Sequence, residues 1–176
     1  MKLLFSVMLI CNISFAGNFT LTSDDVGGQF SVKQEFNGFG CSGKNISPSL
    51  AWKDAPKGTK SFAITMYDPD APTGSGWWHW LVFNIPKTAT SIANNASALK
   101  ALPKGSVESV TNYGVSGFGG ACPPKGDEAH RYIITLYALD VDNLDLDSSV
   151  NPAIVGYNLN AHAIQKSSII SYYGRK

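Results

Sequence analysis

The sequence lacks several motifs that mark common enzyme classes. It has no H-E-x-x-H, no pair of histidines at helical spacing, no G-x-S-x-G and no C-x-x-C. The first two absences count against a helical zinc site, the third against an α/β-hydrolase and the fourth against thioredoxin-like redox chemistry. No internal repeat is present either.

An excess of charge of one sign is also missing. Fourteen Lys and Arg residues face thirteen Asp and Glu residues. One of the basic residues, Lys2, lies in the amino-terminal segment 1–16, so the rest of the chain carries thirteen of each sign. This balance gives no electrostatic reason to expect nucleic acid or an anionic membrane as a partner.

No apolar run is long enough to span a bilayer. Residues 3–10, LLFSVMLI, follow Lys2, and Ser14 and Ala16 place small residues at the −3 and −1 positions of a cleavage site. This pattern predicts a secretory signal peptide over residues 1–16 and a single mature domain over residues 17–176. We therefore expect an exported protein without stable membrane insertion.

Cysteine is scarce. Outside the predicted signal peptide the chain has only Cys41 and Cys122. In an oxidising compartment such a pair is expected to form one disulfide, which is worth roughly 4–5 kcal/mol in the chain-entropy model. Two buried free thiols are the alternative.

Tryptophan, proline, glycine, aspartate and histidine residues are concentrated in the segment 67–84, YDPDAPTGSGWWHWLVFN. Alternation predicts one strand over 61–68 and a second over 77–85, separated by a proline- and glycine-rich turn. Strict alternation in the second strand places Trp77 and His79 on the face of Leu81 and Phe83, opposite Trp80.

The rest of the chain is also mainly β. Residues 130–139, HRYIITLYAL, predict a strand in the middle of a sheet, covered on both faces. Shorter strands are predicted in 18–32 and 106–113, and a last strand in 167–173. Apolar residues in 152–165 predict one modest amphipathic helix.

Polar side chains gather where these strands end, beside stiff loops: Asp68, Asp70, His79, His130 and Tyr132. In one interpretation each is simply a satisfied polar residue at a sheet edge. In a second, two His and two Asp bind a metal or act as acid and base. In a third, imidazole, tyrosine hydroxyl and the amides of the glycine-rich loop 114–126 bind an anionic oxygen beside an apolar wall. The third interpretation accounts for the most residues.

Three motifs in order resemble the phosphatidylethanolamine-binding protein family, which includes the Raf-kinase inhibitor proteins. Residues 68–72 match its DPDxP motif, and Trp77 with His79 matches its W-x-H segment. Residues 119–132, from Gly119-Gly120 through the prolines to His-Arg-Tyr, match its GxxxPPxG…HRY motif. With its predicted signal peptide the chain most resembles the periplasmic bacterial branch, the YbcL-type proteins.

The resemblance implies a large antiparallel sheet packed on a smaller one, with a few flanking helices. It also implies a pocket for phosphate-like anions and phosphoryl head groups. By motif the binding residues would be Asp68, Asp70, Pro72, Trp77, His79, Gly119, Gly120, Pro123, His130 and Tyr132. The motifs place Cys41 and Cys122 in loops near that pocket, which favours the disulfide. A homodimer is a further expectation by resemblance.

Three functional hypotheses follow. The first is a periplasmic, non-enzymatic binding protein for a small phosphate or carboxylate anion, with no cofactor and no metal. The second is an exported regulator of a kinase or protease that acts by binding a protein partner. The third is a metal-dependent hydrolase.

Overall fold

The computed structural model describes residues 18–176, so the predicted signal peptide lies outside the described residues. Within that range the chain forms ten strands and one helix. In chain order they are β1 (Thr20–Thr22), β2 (Asn37–Gly38), β3 (Cys41–Ser42), β4 (Leu50–Lys53), β5 (Ser61–Asp68), β6 (Trp77–Pro86), β7 (Ser91–Ile92), β8 (Val107–Glu108), β9 (His130–Leu139), α1 (Pro152–His162) and β10 (Ala163–Tyr173). The fold is mainly β, as predicted.

A large antiparallel sheet packs on a smaller one. The large sheet has the order β10-β9-β5-β6-β8, and the small sheet has the order β1-β4-β7. Apolar side chains from both sheets, among them Leu21, Trp52, Phe62, Ile64 and Leu136, form the core between them. A two-stranded ribbon, β2-β3, completes the sheets of residues 18–176.

The helix α1 covers the other face of the large sheet. Val155 and Leu159 of α1 pack there against Ala63, Leu81 and Phe83. Burial on both faces explains why β5 and β9 are apolar almost throughout. The side chain of Asn151 accepts a hydrogen bond from the amide of Ala153 and caps the helix, which Pro152 then begins.

The strand β6 contains an irregularity at His79. Met66 pairs with Trp80 whereas Tyr67 pairs with Trp78, so His79 is an extra residue opposite β5. Such a bulge rotates the side chains that precede it relative to those that follow. Trp80 therefore packs in the core between the two sheets. Trp77 and His79, which line the cavity, lie on this same face of β6. The predicted placement of Trp77 and His79 on the face of Leu81 and Phe83 was wrong for this reason.

Several predicted boundaries were also wrong. The helix ends at His162 instead of residue 165 because Ala163–Gln165 pair with β9, and β10 is correspondingly longer than predicted. Only Val107–Glu108 of the segment 106–113 pairs as a strand, since the chain turns at Thr111, whose amide bonds to the carbonyl of Val115. In 18–32, Gln29 forms only an isolated bridge to Tyr172. The described residues contain one helix where the resemblance implied a few.

No helix among residues 18–176 is long and apolar enough to cross a bilayer.

Candidate functional site

The ends of three neighbouring strands, β6, β5 and β9, lie together at one end of the large sheet. Because β5 is antiparallel to both β6 and β9, its last residue, Asp68, pairs with Trp77 at the start of β6 and lies near the start of β9, where its side chain contacts His130. A cavity of about 160 Å³ opens at this end of the sheet.

The cavity has a polar set of side chains and an apolar set. The polar set comprises Asp68, Thr73, His79, Tyr113, His130 and Tyr132, and the apolar set comprises Phe39, Ala71, Pro72, Trp77, Pro123 and Pro124. Cys122 also reaches the wall. The two histidines are 51 positions apart in the chain, and the fold brings them to one cavity.

Asp68 has both carboxylate oxygens engaged. Its Oδ1 accepts hydrogen bonds from the amides of Asp70, at 2.8 Å, and Ala71, at 3.1 Å, in the turn that the prolines shape. Its Oδ2 accepts a hydrogen bond from His130 Nδ1 at 2.8 Å, and both side chains are buried. His130 Nε2 lies 3.5 Å from Oδ2 of the half-exposed Asp127. Asp68 therefore holds the His130 imidazole in a fixed orientation.

His79 is fixed by backbone carbonyls. Its Nδ1 donates to Gly119 O at 2.9 Å and to Gly120 O at 3.1 Å, whereas its buried Nε2 has no hydrogen-bond partner. Burial lowers the pKa of His79 to about 4, against smaller opposing effects of these carbonyls and of Asp68. The imidazole is consequently neutral at pH 7.

Two further buried polar atoms of residues that line the cavity have no hydrogen-bond partner: the Tyr132 hydroxyl and the indole nitrogen of Trp77. Burial raises the pKa of Tyr132, and the nearby charge of Asp68 adds to that effect. The hydroxyl therefore keeps its proton and can donate it in a hydrogen bond. The hydroxyl of Tyr113, by contrast, donates to Gly120 O at 2.8 Å.

A disulfide between Cys41 and Cys122 lies at the rim of the cavity and confirms the predicted pairing. It joins the loop that carries Phe39 to the loop that carries Pro123 and Pro124. Phe39 is 71 % exposed, and its ring packs beside those of Phe36 and Tyr113. The bridge thus ties together two sides of the cavity mouth.

Most of the predicted site residues line the cavity: Asp68, Pro72, Trp77, His79, Pro123, His130 and Tyr132. Asp70 does not. Its carboxylate turns away to accept hydrogen bonds from Arg131, which lowers the pKa of Asp70 to about 2.

Gly119 and Gly120 lie behind His79 and do not form the cavity wall. The amide of Gly119 donates to His79 O, and the amide of Gly120 donates to Asn45 Oδ1. These two amides were expected to face a ligand, and that expectation was wrong because both are used inside the protein. Their carbonyls orient His79 instead.

Sequence reasoning missed Phe39, Ala71, Thr73, Tyr113 and Pro124 as wall residues. Tyr113 directly precedes the glycine-rich loop 114–126, and Ala71 and Thr73 flank Pro72, so their positions were available as a signal. For Phe39 the available signal was Cys41, two residues further on, whose loop was expected near the pocket.

No group of three or more His, Cys, Asp or Glu side chains in residues 18–176 is arranged to hold a metal ion.

The fold and the site together define a class of protein: a two-sheet β domain with a small pocket at one end of its larger sheet, lined by two histidines. The chain belongs to the phosphatidylethanolamine-binding protein family, whose family model matches residues 26–174.

Among its relatives, the Escherichia coli (strain K12) protein YbcL is 47% identical over 98% of both chains. The protein YbhB of the same strain is also 47% identical, over 87% of this chain and 98% of its own length. The crystal structure of E. coli YbcL, described as a new member of the mammalian family, superposes with a TM-score of 0.87 at 49% identity. It covers 90% of this chain and 99% of YbcL. A family homologue from Chlamydia trachomatis gives a TM-score of 0.73 at 27% identity, over 90% of this chain and 98% of its own.

Proposed function

We propose that this chain is a periplasmic, non-enzymatic binding protein whose pocket takes a small phosphate-like or carboxylate anion. The observation that carries the proposal is the set of buried hydrogen-bonding atoms without partners beside the cavity. These are the Tyr132 hydroxyl, Trp77 Nε1 and His79 Nε2. A buried polar atom left unpaired costs about 1–3 kcal/mol, so a ligand that pairs with it recovers that free energy on binding.

The hydrogen-bonding groups of the wall that have no partner favour an anion over a cation. Asp68 is the one carboxylate among the lining residues, and its oxygens already accept from two amides and from His130. Among the lining residues a cation would therefore find no carboxylate oxygen without a hydrogen-bond partner. An anionic oxygen would find the hydroxyl of Tyr132 and the indole N–H of Trp77, and His130 Nε2 can also donate when it is protonated.

The apolar part of the wall limits the size and character of the ligand. The cavity has a volume of about 160 Å³, and its lining includes the apolar side chains of Phe39, Pro72, Trp77 and Pro123. An anionic group on a small organic molecule fits this combination of a polar floor and an apolar rim.

Calorimetric titration with inorganic phosphate and with a small phosphomonoester tests the proposal. We expect saturable binding by the wild type and at least tenfold weaker binding by His79→Ala and His130→Ala.

His162→Ala is the matched control. His162 pairs with Asp140 at the opposite end of β9, roughly 30 Å from His130 at the rise of an antiparallel strand. An absence of binding by the wild type, or equal binding by all four proteins, contradicts the proposal.

The export part of the proposal has its own test. Mass spectrometry of the protein recovered from a periplasmic fraction should give a chain that begins at Gly17. A chain that retains residues 1–16 would contradict it. The two alternative interpretations, a regulator of a kinase or protease and a metal-dependent hydrolase, stay predictions.

A further inference from the structure

We propose that the pocket selects oxyanions that carry a hydrogen on one oxygen, such as a protonated phosphoryl group, and rejects fully deprotonated oxyanions such as sulfate. The inference rests on the proposed function and narrows its ligand class to the phosphate-like anions, since a carboxylate carries no hydrogen at pH 7. It assigns His79 as the residue that determines this specificity, because the fold makes its Nε2 a hydrogen-bond acceptor.

The hydrogen-bond geometry fixes the tautomer of His79. Its Nδ1 lies 2.9 Å from Gly119 O and 3.1 Å from Gly120 O. Carbonyl oxygens only accept hydrogen bonds, so Nδ1 must carry the hydrogen. In the neutral ring the other nitrogen, Nε2, then presents a lone pair. That atom is buried and unpartnered beside the cavity.

The surroundings of His79 keep the ring neutral. The rings of Tyr113 and Tyr132 meet it edge-on, with centroids 5.5 Å and 5.1 Å away. The charged groups nearby act in opposite directions, since Asp68 favours the protonated ring and His130 disfavours it. Burial outweighs both and holds the pKa of His79 at about 4. At pH 7, three units above this pKa, a ligand that needs the protonated ring would bind about a thousandfold more weakly than it would to a ring that is already protonated.

A protonated phosphoryl group matches this arrangement. Its P–OH can donate to His79 Nε2, while its charged oxygens accept from the Tyr132 hydroxyl and the Trp77 indole. Inorganic phosphate at pH 7 carries at least one such hydrogen. Sulfate carries none, so one of its oxygens would face the lone pair of Nε2. A site built around a buried polar partner discriminates strongly against a ligand that cannot satisfy it.

Titrations with inorganic phosphate and with sulfate, at pH 7 and equal ionic strength, test the inference. We expect phosphate to bind at least tenfold more tightly than sulfate. Long-range ¹H–¹⁵N spectra of the imidazoles should show His79 protonated at Nδ1 only, both before and after phosphate is added.

A variant pair locates the effect. His79→Gln should bring the ratio of phosphate to sulfate affinity close to one, whereas His162→Gln should leave it unchanged. Should His79→Gln fail to fold, the wild-type ratio and the wild-type tautomer decide the question without it.

The outcomes separate this inference from the proposed function. Equal affinity for phosphate and sulfate, or a His79 ring that is protonated at both nitrogens or at Nε2 alone, overturns the inference but leaves an anion-binding pocket. Binding of neither ion overturns both.

Discussion

Asp68 and Asp70 are two positions apart in one motif and have different surroundings. Asp68 is 2 % exposed and joins the turn 69–71 to His130, whereas Asp70 forms a partly exposed ion pair with Arg131. The pleat of the strand and the turn after it separate them, since Asp68 still belongs to β5 and Asp70 lies beyond it. Both were predicted to bind the ligand, but only Asp68 lines the cavity, whereas Asp70 pairs with Arg131.

Replacing each aspartate in turn with asparagine tests whether the two side chains contribute differently to stability. Asp68→Asn should lower the free energy of unfolding by about 2–4 kcal/mol, because a buried charge-assisted hydrogen bond is lost. Asp70→Asn should lower it by less than about 1 kcal/mol, because solvent screens its ion pair with Arg131. Urea denaturation at pH 7 measures both. Equal losses would show that Asp68 does not have the structural role described here.

The lowered pKa of His79 predicts a pH dependence of stability. Between about pH 4 and 6.5 the unfolded chain binds a proton at this residue and the folded chain does not, so stability rises with pH across that window. We expect His79 to make the wild type about 2 kcal/mol less stable at pH 5 than at pH 8. The difference between wild type and His79→Gln in urea denaturation, measured at several pH values, isolates this contribution. A difference that does not change with pH would contradict the buried neutral ring.

At the scale of elements, alternation was a reliable guide where strands are regular and failed where β6 is bulged. The strand β9 was predicted to be covered on both faces, and it is: Tyr132, Ile134 and Leu136 lie in the core between the sheets, and Tyr137 lies in the core beneath α1. The extra residue at His79 has no local signature, because a bulge is fixed by pairing with a distant strand. The end of α1 was missed for a related reason, since the pairing of β10 with β9 overrides the helical pattern.

The contact between the glycine-rich loop and the segment 34–36 gives a further prediction. A Cβ at Gly120 would lie 2.1 Å from the carbonyl oxygen of Gln34, which is backbone and cannot rotate away. Gly120→Ala should therefore destabilise the protein by more than about 2 kcal/mol and weaken phosphate binding, since the carbonyl of Gly120 orients His79.

Gly27→Ala is the matched control for Gly120→Ala. A Cβ at Gly27 would meet nothing within 4 Å, so we expect a change within about 0.5 kcal/mol. Thermal unfolding and a phosphate titration of both variants provide the measurement. If the two variants were equally stable, the close contact would not be the reason for glycine at position 120.

At the scale of the whole molecule, the two sheets and α1 form three layers, and the pocket lies at one end of the middle layer. The sequence motifs located the strand ends that build the pocket, because antiparallel pairing of neighbouring strands places those ends together. Phe39 and Tyr113 could not be located in the same way. Their contacts depend on loops whose course the disulfide and long-range hydrogen bonds determine.

The disulfide closes a loop of 81 residues, so its removal should destabilise the whole domain. The double variant Cys41→Ser/Cys122→Ser should lose about 2–5 kcal/mol of unfolding free energy, mainly because the unfolded chain gains freedom. Wild type under reducing conditions is the matched comparison and should show a similar loss. Labelling of the denatured, non-reduced chain 17–176 should detect no free thiol, and two labelled cysteines would contradict the bridge.

The central claim is that His79 and His130 share one cavity and bind one anion there. An NMR titration of the three imidazoles with inorganic phosphate tests it most directly. We predict that the signals of His79 and His130 shift together with a single dissociation constant, while the signals of His162 stay in place. Separate dissociation constants for His79 and His130, or shifts of His162 as large as theirs, would contradict a shared site.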